Sequence, residues 1–391
     1  MNPAARVQTA IELLDAILTS ARDNGPSADV IWAKGFRERR YAGSKDRRAI
    51  RDLVYRVIRA HGQRPASGRA GVLGLSDPDL TAQFGASNYG PQAASDGEAA
   101  DAPTAVAPWM RDAFVPLIDG AELNALLERA PLDLRANALK TTRDDVLKLY
   151  PDAVPIAHTS QGFRLASPVD VEADDAYQSG LIEVQDAGSQ LISLAAQAAG
   201  AAIVVDLCAG AGGKTLALAA DMAGAGRLIA CDTDRTRLQQ LPKRAERAGA
   251  EVELRLLNPA REMEALEDLR SQADIVLVDA PCSGSGTWRR NPELRWRLTP
   301  ERLARTEALQ RQVLDIAAQL MKPGGVIVYA VCSLFEREGA GQIEAFMQRH
   351  TGFRAEGILP DTGRPSGAGR LLTPFHDATD GFFVARLARS C

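Results

Sequence analysis

The chain lacks cysteine pairs, long apolar runs and net positive charge, and each lack removes a class of protein. Five cysteines, Cys208, Cys231, Cys282, Cys332 and Cys391, are scattered through 391 residues. Their number is odd and no C-x-x-C pair occurs. That pattern excludes a disulfide framework and a structural zinc site, and it predicts a reducing compartment. No run approaches the roughly 20 apolar residues that span a bilayer. The first apolar stretch carries Glu12 and Asp15, so it reads as an amphipathic helix and not as a signal peptide. A cytoplasmic protein with no membrane or metal partner is expected. The formal net charge is −4, so any argument for nucleic acid rests on local basic patches and not on the average. No internal repeat is visible.

What remains is ordinary globular material, 46% hydrophobic and 25% charged, with length for two or three domains. Residues 1–62 read as a helical domain. Ala10, Leu13, Leu14, Ile17 and Leu18 recur at helical spacing, as do Ile50, Leu53, Val54, Val57 and Ile58. A basic run surrounds them: Lys34, Arg37, Arg39, Arg40, Lys45, Arg47, Arg48 and Arg51. It suits either a solvated helix face or a set of phosphate contacts. Residues 63–107 are rich in Gly, Ala, Ser, Pro and Asp and read as a linker or mobile insertion. Residues 108–200 alternate short strands and helices, as a small α+β connecting and RNA-recognition region would.

From residue 201 to 391 the pattern is α/β. The runs AAIVVD, RLIACD, EVELRLL, DIVLVD and GVIVYAV alternate with helical segments. Such alternation predicts a mostly parallel sheet covered on both faces, with ligands at the carboxyl ends of its strands. The first run leads into DLCAGAGGKT. A P-loop would need glycine where Cys208 stands, and a dinucleotide fingerprint fails at Thr215. The turn of a SAM-dependent methyltransferase suits Asp206 with Gly210, Gly212 and Gly213. Asp232 ends the second run about 20 residues on, where a carboxylate can accept both ribose hydroxyls of an adenosine cofactor. The competing role for Asp232 is a helix N-cap. These features do not separate NAD from S-adenosylmethionine.

Asp279 and Cys282 stand at the tip of the fourth run, and Cys332 with Ser333 at the tip of the fifth. Two cysteines and a carboxylate thus converge at one end of one sheet. The chemistry that uses them is addition of a thiolate to carbon 6 of cytosine, which makes carbon 5 nucleophilic towards a methyl donor. A nearby acid holds or protonates N3. The thiolate form calls for an electropositive site, and Lys214, Arg289 and Arg290 can supply it. The strand-end pattern does not say which cysteine attacks.

DLCAGAGGKT, DAPCSGSGTWRRNPELRW and YAVCS, in this order, resemble the RsmB/Sun family of RNA 5-methylcytosine methyltransferases, over about residues 130–388. The resemblance implies a Rossmann-like class I methyltransferase domain with a seven-stranded sheet. The N-terminal region is similar in pattern to a NusB-like RNA-binding domain. The resemblance makes Cys332 the nucleophile and Cys282 the aid to product release, with Asp279 beside them. It gives S-adenosylmethionine as cofactor, lined by Cys208, Ala209, Gly210, Ala211, Gly212, Gly213, Lys214, Asp232, Arg237, Asn258 and Asp279. It gives RNA as partner, rRNA before tRNA. Arg289 and Arg290 are expected to contact the RNA, and a monomer is expected. Two places depart from the pattern. Gly210 and Ala211 replace the usual Ala-Pro, and Pro259 stands where an acid near the adenine is usual, leaving Asn258 to substitute. The alternatives are a methyltransferase of another nucleic acid or a small molecule, told apart by competition between RNA and DNA, and a non-catalytic RNA-binding or ribosome-assembly factor, told apart by failure to bind S-adenosylmethionine.

Overall fold

The computed structural model describes residues 1–167 and 169–390, so Cys391 lies outside the described residues. The chain forms two compact units. The first comprises Met1–Glu128 and Thr287–Pro300; the second comprises Arg129–Gly286 and Glu301–Cys391.

The first unit is helical. Its first helix, Pro3–Arg22, starts with proline at a position whose N–H would be unpaired anyway, and Asn2 caps it by accepting from Ala5 N at 2.7 Å. Val7, Ala10, Leu13, Leu14, Ile17 and Leu18 form its buried stripe. The helices Ala28–Glu38 and Ser44–Ala60 complete the core with Phe36, Ile50, Val54, Val57 and Ile58. Of residues 63–107, expected as a linker or mobile insertion, the first part carries the helices Gly68–Gly74 and Pro78–Thr81, and Ala70, Val72, Phe84 and Val106 are buried, while residues 92–103 carry no helix or strand and are almost all exposed. Small residues hid this packing. Gly68 sits so close to the first helix that a Cβ would strike the Ile11 carbonyl and the Leu14 side chain. The composition that suggests disorder is here the composition of close approach.

The segment Thr287–Pro300 belongs to the first unit despite its place in the α/β half of the sequence. Trp288 is fully buried and meets Phe114 edge-on. The Arg295 guanidinium donates to the carbonyls of Ile58, Arg59, Ala105 and Pro292. Trp296 Nε1 donates to His61 O at 2.6 Å.

The second unit begins with a four-stranded antiparallel sheet of β1 (Leu132–Ala136), β2 (Val154–Pro155), β3 (Gly162–Leu165) and β4 (Ile182–Val184), in the order β2-β3-β1-β4. Leu134, Ala136, Val146, Phe163, Ala176 and Ile182 are its core. The larger sheet holds β5 (Ile203–Asp206), β6 (Arg227–Asp232), β7 (Glu253–Leu256), β8 (Ala273–Asp279) and β9 (Met321–Val331). It continues with β10 (Phe353–Glu356), β11 (Arg364–Ser366), β12 (Gly369–Leu372) and β13 (Phe382–Arg389). The order is β11-β12-β13-β9-β8-β5-β6-β7, with β10 also on β13.

The block β7-β6-β5-β8-β9 is parallel, and β13 joins it antiparallel. This is the Rossmann-like arrangement expected. The sheet has nine strands where seven were expected. The place outside β13 is divided between two short strands, β10 along its residues 386–389 and β12 along 382–384, and β11 extends β12 as a hairpin. Strands this short leave no readable run. The apolar runs are as buried as their composition demands: Val204, Val205, Ile229, Val276, Leu277, Val278, Ile327 and Val328 are all closed off from water. Burying each such side chain contributes roughly 1.5–3 kcal/mol. Winding reverses at β5, which lies between β6 and β8. The crevice beyond its carboxyl end is where such sheets bind ligands.

Candidate active site at the carboxyl ends of the parallel strands

Asp206 ends β5 and is 1% exposed. Its Oδ2 accepts from Thr215 Oγ1 at 2.7 Å, while Oδ1 has no hydrogen-bond partner among the described residues. Burial pushes its pKa up to about 7, with the Thr215 hydrogen bond opposing and the charge of Asp279 adding. The turn after it reverses at Gly210 and Gly212, whose φ of +56° and +90° lie in the left-handed region. A Cβ at Gly210 would strike the Arg237 guanidinium, and one at Gly212 the buried Leu241 side chain. The turn feeds the helix Gly213–Asp221. Ala209 N donates to Cys231 O and so ties the turn to β6.

Asp232, at the end of β6, uses both carboxylate oxygens. Oδ2 accepts from Gly210 N and Oδ1 from Asp234 N, each at 2.7 Å. The N-cap of the following helix is Asp234, not Asp232. Asp232 is therefore the strut that shapes the glycine turn, with lone pairs left over for a ligand. Asn258 and Pro259 are exposed just past β7.

The two cysteines come together. Cys282 Sγ and Cys332 Sγ are 3.3 Å apart, within sulfur hydrogen-bond range. The hydrogen bond to Cys332 pushes the Cys282 thiol up, and burial and the charges of Cys332 and Glu338 add to it. Burial also pushes Cys208 up, as do the charges of Asp206, Asp232 and Asp279, so Cys208 stays a thiol. Lys214 Nζ pairs with Asp279 Oδ2 at 2.7 Å. Burial opposes the lysine charge, but Asp279, with Cys332 and Asp206, outweighs it and holds its pKa above the usual amine value. Lys214, expected as an open positive charge and phosphate contact, is instead paired with Asp279.

The glycine turn, Lys214, Asp232, Asp279, Cys282 and Cys332 all lie in the second unit. Arg289 and Arg290 do not: both belong to the first unit, and Arg289 is only 9% exposed. The sequence reading missed Glu338, which is fully buried behind the cysteines. It accepts from Ser283 N, Ser333 Oγ, Thr306 Oγ1 and Gln310 Nε2. One signal was present. Thr306 and Gln310 share the helical stripe of Leu303, Val313, Leu314 and Ala317. Polar residues on a core-facing stripe imply a buried partner.

No helix among the described residues is long and apolar enough to cross a membrane, and no group of three or more His, Cys, Asp or Glu among them is placed to hold a metal ion. Residues 192–388 match the model of a family described as 16S rRNA methyltransferase RsmB/F. The chain belongs to that family. Among curated relatives, a ribosomal RNA small subunit methyltransferase B of Sodalis glossinidius is 32% identical over 271 residues, 68% of this chain and 61% of that one. A probable ribosomal RNA small subunit methyltransferase B of Synechocystis is 32% identical over 296 residues, 72% and 66% of the two chains. The chain thus spans about three fifths to two thirds of the length of these family members. Among solved structures, PH0851 superposes with a TM-score of 0.76 at 23% identity, covering 99% of both chains. A methyltransferase homolog protein from Pyrococcus horikoshii gives 0.61 at 26% identity, covering 71% of this chain and 92% of that one. The family places its methyltransferase domain where the Rossmann-like sheet of this chain lies.

Proposed function

We propose that this protein methylates carbon 5 of a cytosine in RNA, with S-adenosylmethionine as methyl donor and Cys332 as covalent nucleophile. The observation that carries the reading is the pair of sulfurs 3.3 Å apart at the ends of β8 and β9, beside the Lys214–Asp279 pair. Two thiols so close, next to a fixed ion pair, suit one nucleophile and one proton-handling partner.

The cofactor fits the residues present. The unpartnered Asp206 oxygen offers an acceptor to the positively charged methionine end, and the open space at Gly213 lets it approach the backbone. Residues 208–214 would line that end, Asp232 would take the ribose hydroxyls, and Arg237 and Asn258 would flank the adenosine. When bound, S-adenosylmethionine supplies an electrophilic methyl group. Cys332 adds to carbon 6, which raises electron density at carbon 5. Asp279, held by Lys214, accepts or donates at the N3 edge of the ring. After transfer a base removes the carbon 5 proton, the bond from carbon 6 to sulfur breaks, and the Cys332 thiolate leaves. Cys282, hydrogen-bonded to the same sulfur, assists that release.

The relatives, ribosomal RNA small subunit methyltransferases B, favour small-subunit rRNA as substrate. The basic run of the first unit, from Lys34 to Arg51, with Arg290, would contact the RNA backbone. We read the protein as a cytoplasmic monomer. The test is incubation with tritiated S-adenosylmethionine and bulk rRNA, followed by mapping of modified cytosines. Label in carbon 5 of cytosine that vanishes in Cys332→Ala supports the reading, and a protein–RNA adduct should accumulate in Cys282→Ala. Activity that persists in Cys332→Ala refutes the assigned nucleophile. Tight RNA binding without cofactor binding would point to a non-catalytic assembly factor.

A further inference from the structure

Behind the two cysteines lies a polar cluster that the proposed chemistry does not use. Glu338 is fully buried, and no cation among the described residues pairs with it. Its oxygens accept from three places. Ser283 N donates to Oε1 at 2.9 Å and Oε2 at 3.2 Å. Ser333 Oγ donates to Oε2 at 2.6 Å. From the helix behind, Thr306 Oγ1 and Gln310 Nε2 each donate to Oε1 at 2.9 Å. Gln310 Nε2 also donates to Pro281 O. Ser333 Oγ is in turn 3.1 Å from the hydroxyls of both Ser283 and Ser285, and Leu334 N donates to Ser285 Oγ.

Every contact of this carboxylate thus reaches one of the two turns that carry the cysteines, or the helix that backs them. Ser283 follows Cys282 directly, and Ser333 follows Cys332 directly. A buried carboxylate satisfied only by neutral donors is costly, and an apolar side chain of like size would stabilise the core at least as well. What an apolar residue could not do is join the two turns at one point. We propose that Glu338 is a positioning residue: its carboxylate ties residues 281–285 to residues 333–335 and so fixes the spacing of Cys282 and Cys332. Its charge is also among the causes that push the Cys282 thiol up. The inference rests on the proposed roles of the two cysteines, but its geometry does not.

The test is Glu338→Gln, which keeps the shape but turns an N–H towards Ser283 N–H or Gln310. Three quantities are read: kcat and KM for methyl transfer, the Kd for S-adenosylmethionine, and the rate at which each thiol reacts with iodoacetamide, resolved by peptide mass spectrometry. The expected result is a kcat lower by about tenfold or more, since a shift of about 1 Å in a reacting group can cost 10²-fold. The cofactor Kd should stay within about twofold, and Cys282 alone should alkylate about fivefold faster or more as its turn is released and the charge removed. Wild-type alkylation rates at both thiols would overturn the proposal. So would equal acceleration at both with a collapse in melting temperature, which marks a plain structural role. Should Glu338→Gln fail to fold, Ser333→Ala severs the same link and is read in the same way. Alkylation needs no methyl transfer. An inactive wild type would therefore sink the proposed function while leaving this test intact.

Discussion

Asp206 ties the buried end of β5 to a measurable proton. Its pKa stands at about 7 because burial disfavours the carboxylate and one oxygen lacks a donor. Below that pH the group is neutral, and above it the group is charged. A cationic ligand placed against the free oxygen favours the charged form and lowers the pKa in the complex. Binding below pH 7 must therefore expel a proton, and affinity must fall as pH falls. If the pKa drops well below 5 on binding, about 0.9 proton is released at pH 6. The Kd for S-adenosylmethionine then weakens about fifteenfold from pH 7 to pH 5.5, or about 1.6 kcal/mol. Over this range the cofactor's own amino group stays protonated and does not contribute to the slope. Calorimetry in buffers of differing ionisation enthalpy counts the protons directly. Asp206→Asn should bind with little pH dependence and release about none. The reasoning fails if wild type releases no proton at pH 6, or if Asp206→Asn keeps the same slope, for then another group is titrating.

Three further outcomes follow from the packing. Gly212→Ala forces a Cβ into the left-handed region and against buried Leu241, and should cost about 2–4 kcal/mol in urea unfolding; a loss below about 0.5 kcal/mol would mean that the turn relaxes freely. Arg295→Met removes the donor shared by four carbonyls of the first unit and should destabilise by about 3–5 kcal/mol, a reading undone if the melting temperature is unchanged. Lys214→Met leaves the half-buried Asp279 carboxylate without its partner. It should cost about 1–2 kcal/mol, and thermal unfolding equal to wild type would show that solvent already screens the pair.

The strands and their order of use were legible because fully buried parallel strands are unbroken apolar runs, and Asp206, Asp232, Asp279 and Cys332 sit where those runs stop. The two short strands beside β13 were not legible, since their residues are half polar and their pairing is set by a neighbour distant in sequence. Residues 68–84 were hidden for a related reason: small residues serve both loops and close packing, and only the presence of a partner surface decides which. Thr287–Pro300 follows Cys282 without a break in the sequence, yet it is packed into the helical unit, because its tryptophans and Arg295 find apolar cover and backbone carbonyls there.

For the site, the sequence by itself determined the chemical inventory: two cysteines, three carboxylates and a glycine turn at the strand ends, because strand periodicity fixes where side chains emerge. It also carried the family, and with it the proposed choice between the cysteines. Only the tertiary structure decided that the two sulfurs lie 3.3 Å apart, that Lys214 is committed to Asp279, and that Asp232 braces Gly210. Glu338 was decided there as well. Its meaning depends on donors from three segments between 5 and 55 residues away in sequence, and no local pattern announces a carboxylate that is needed for what it joins.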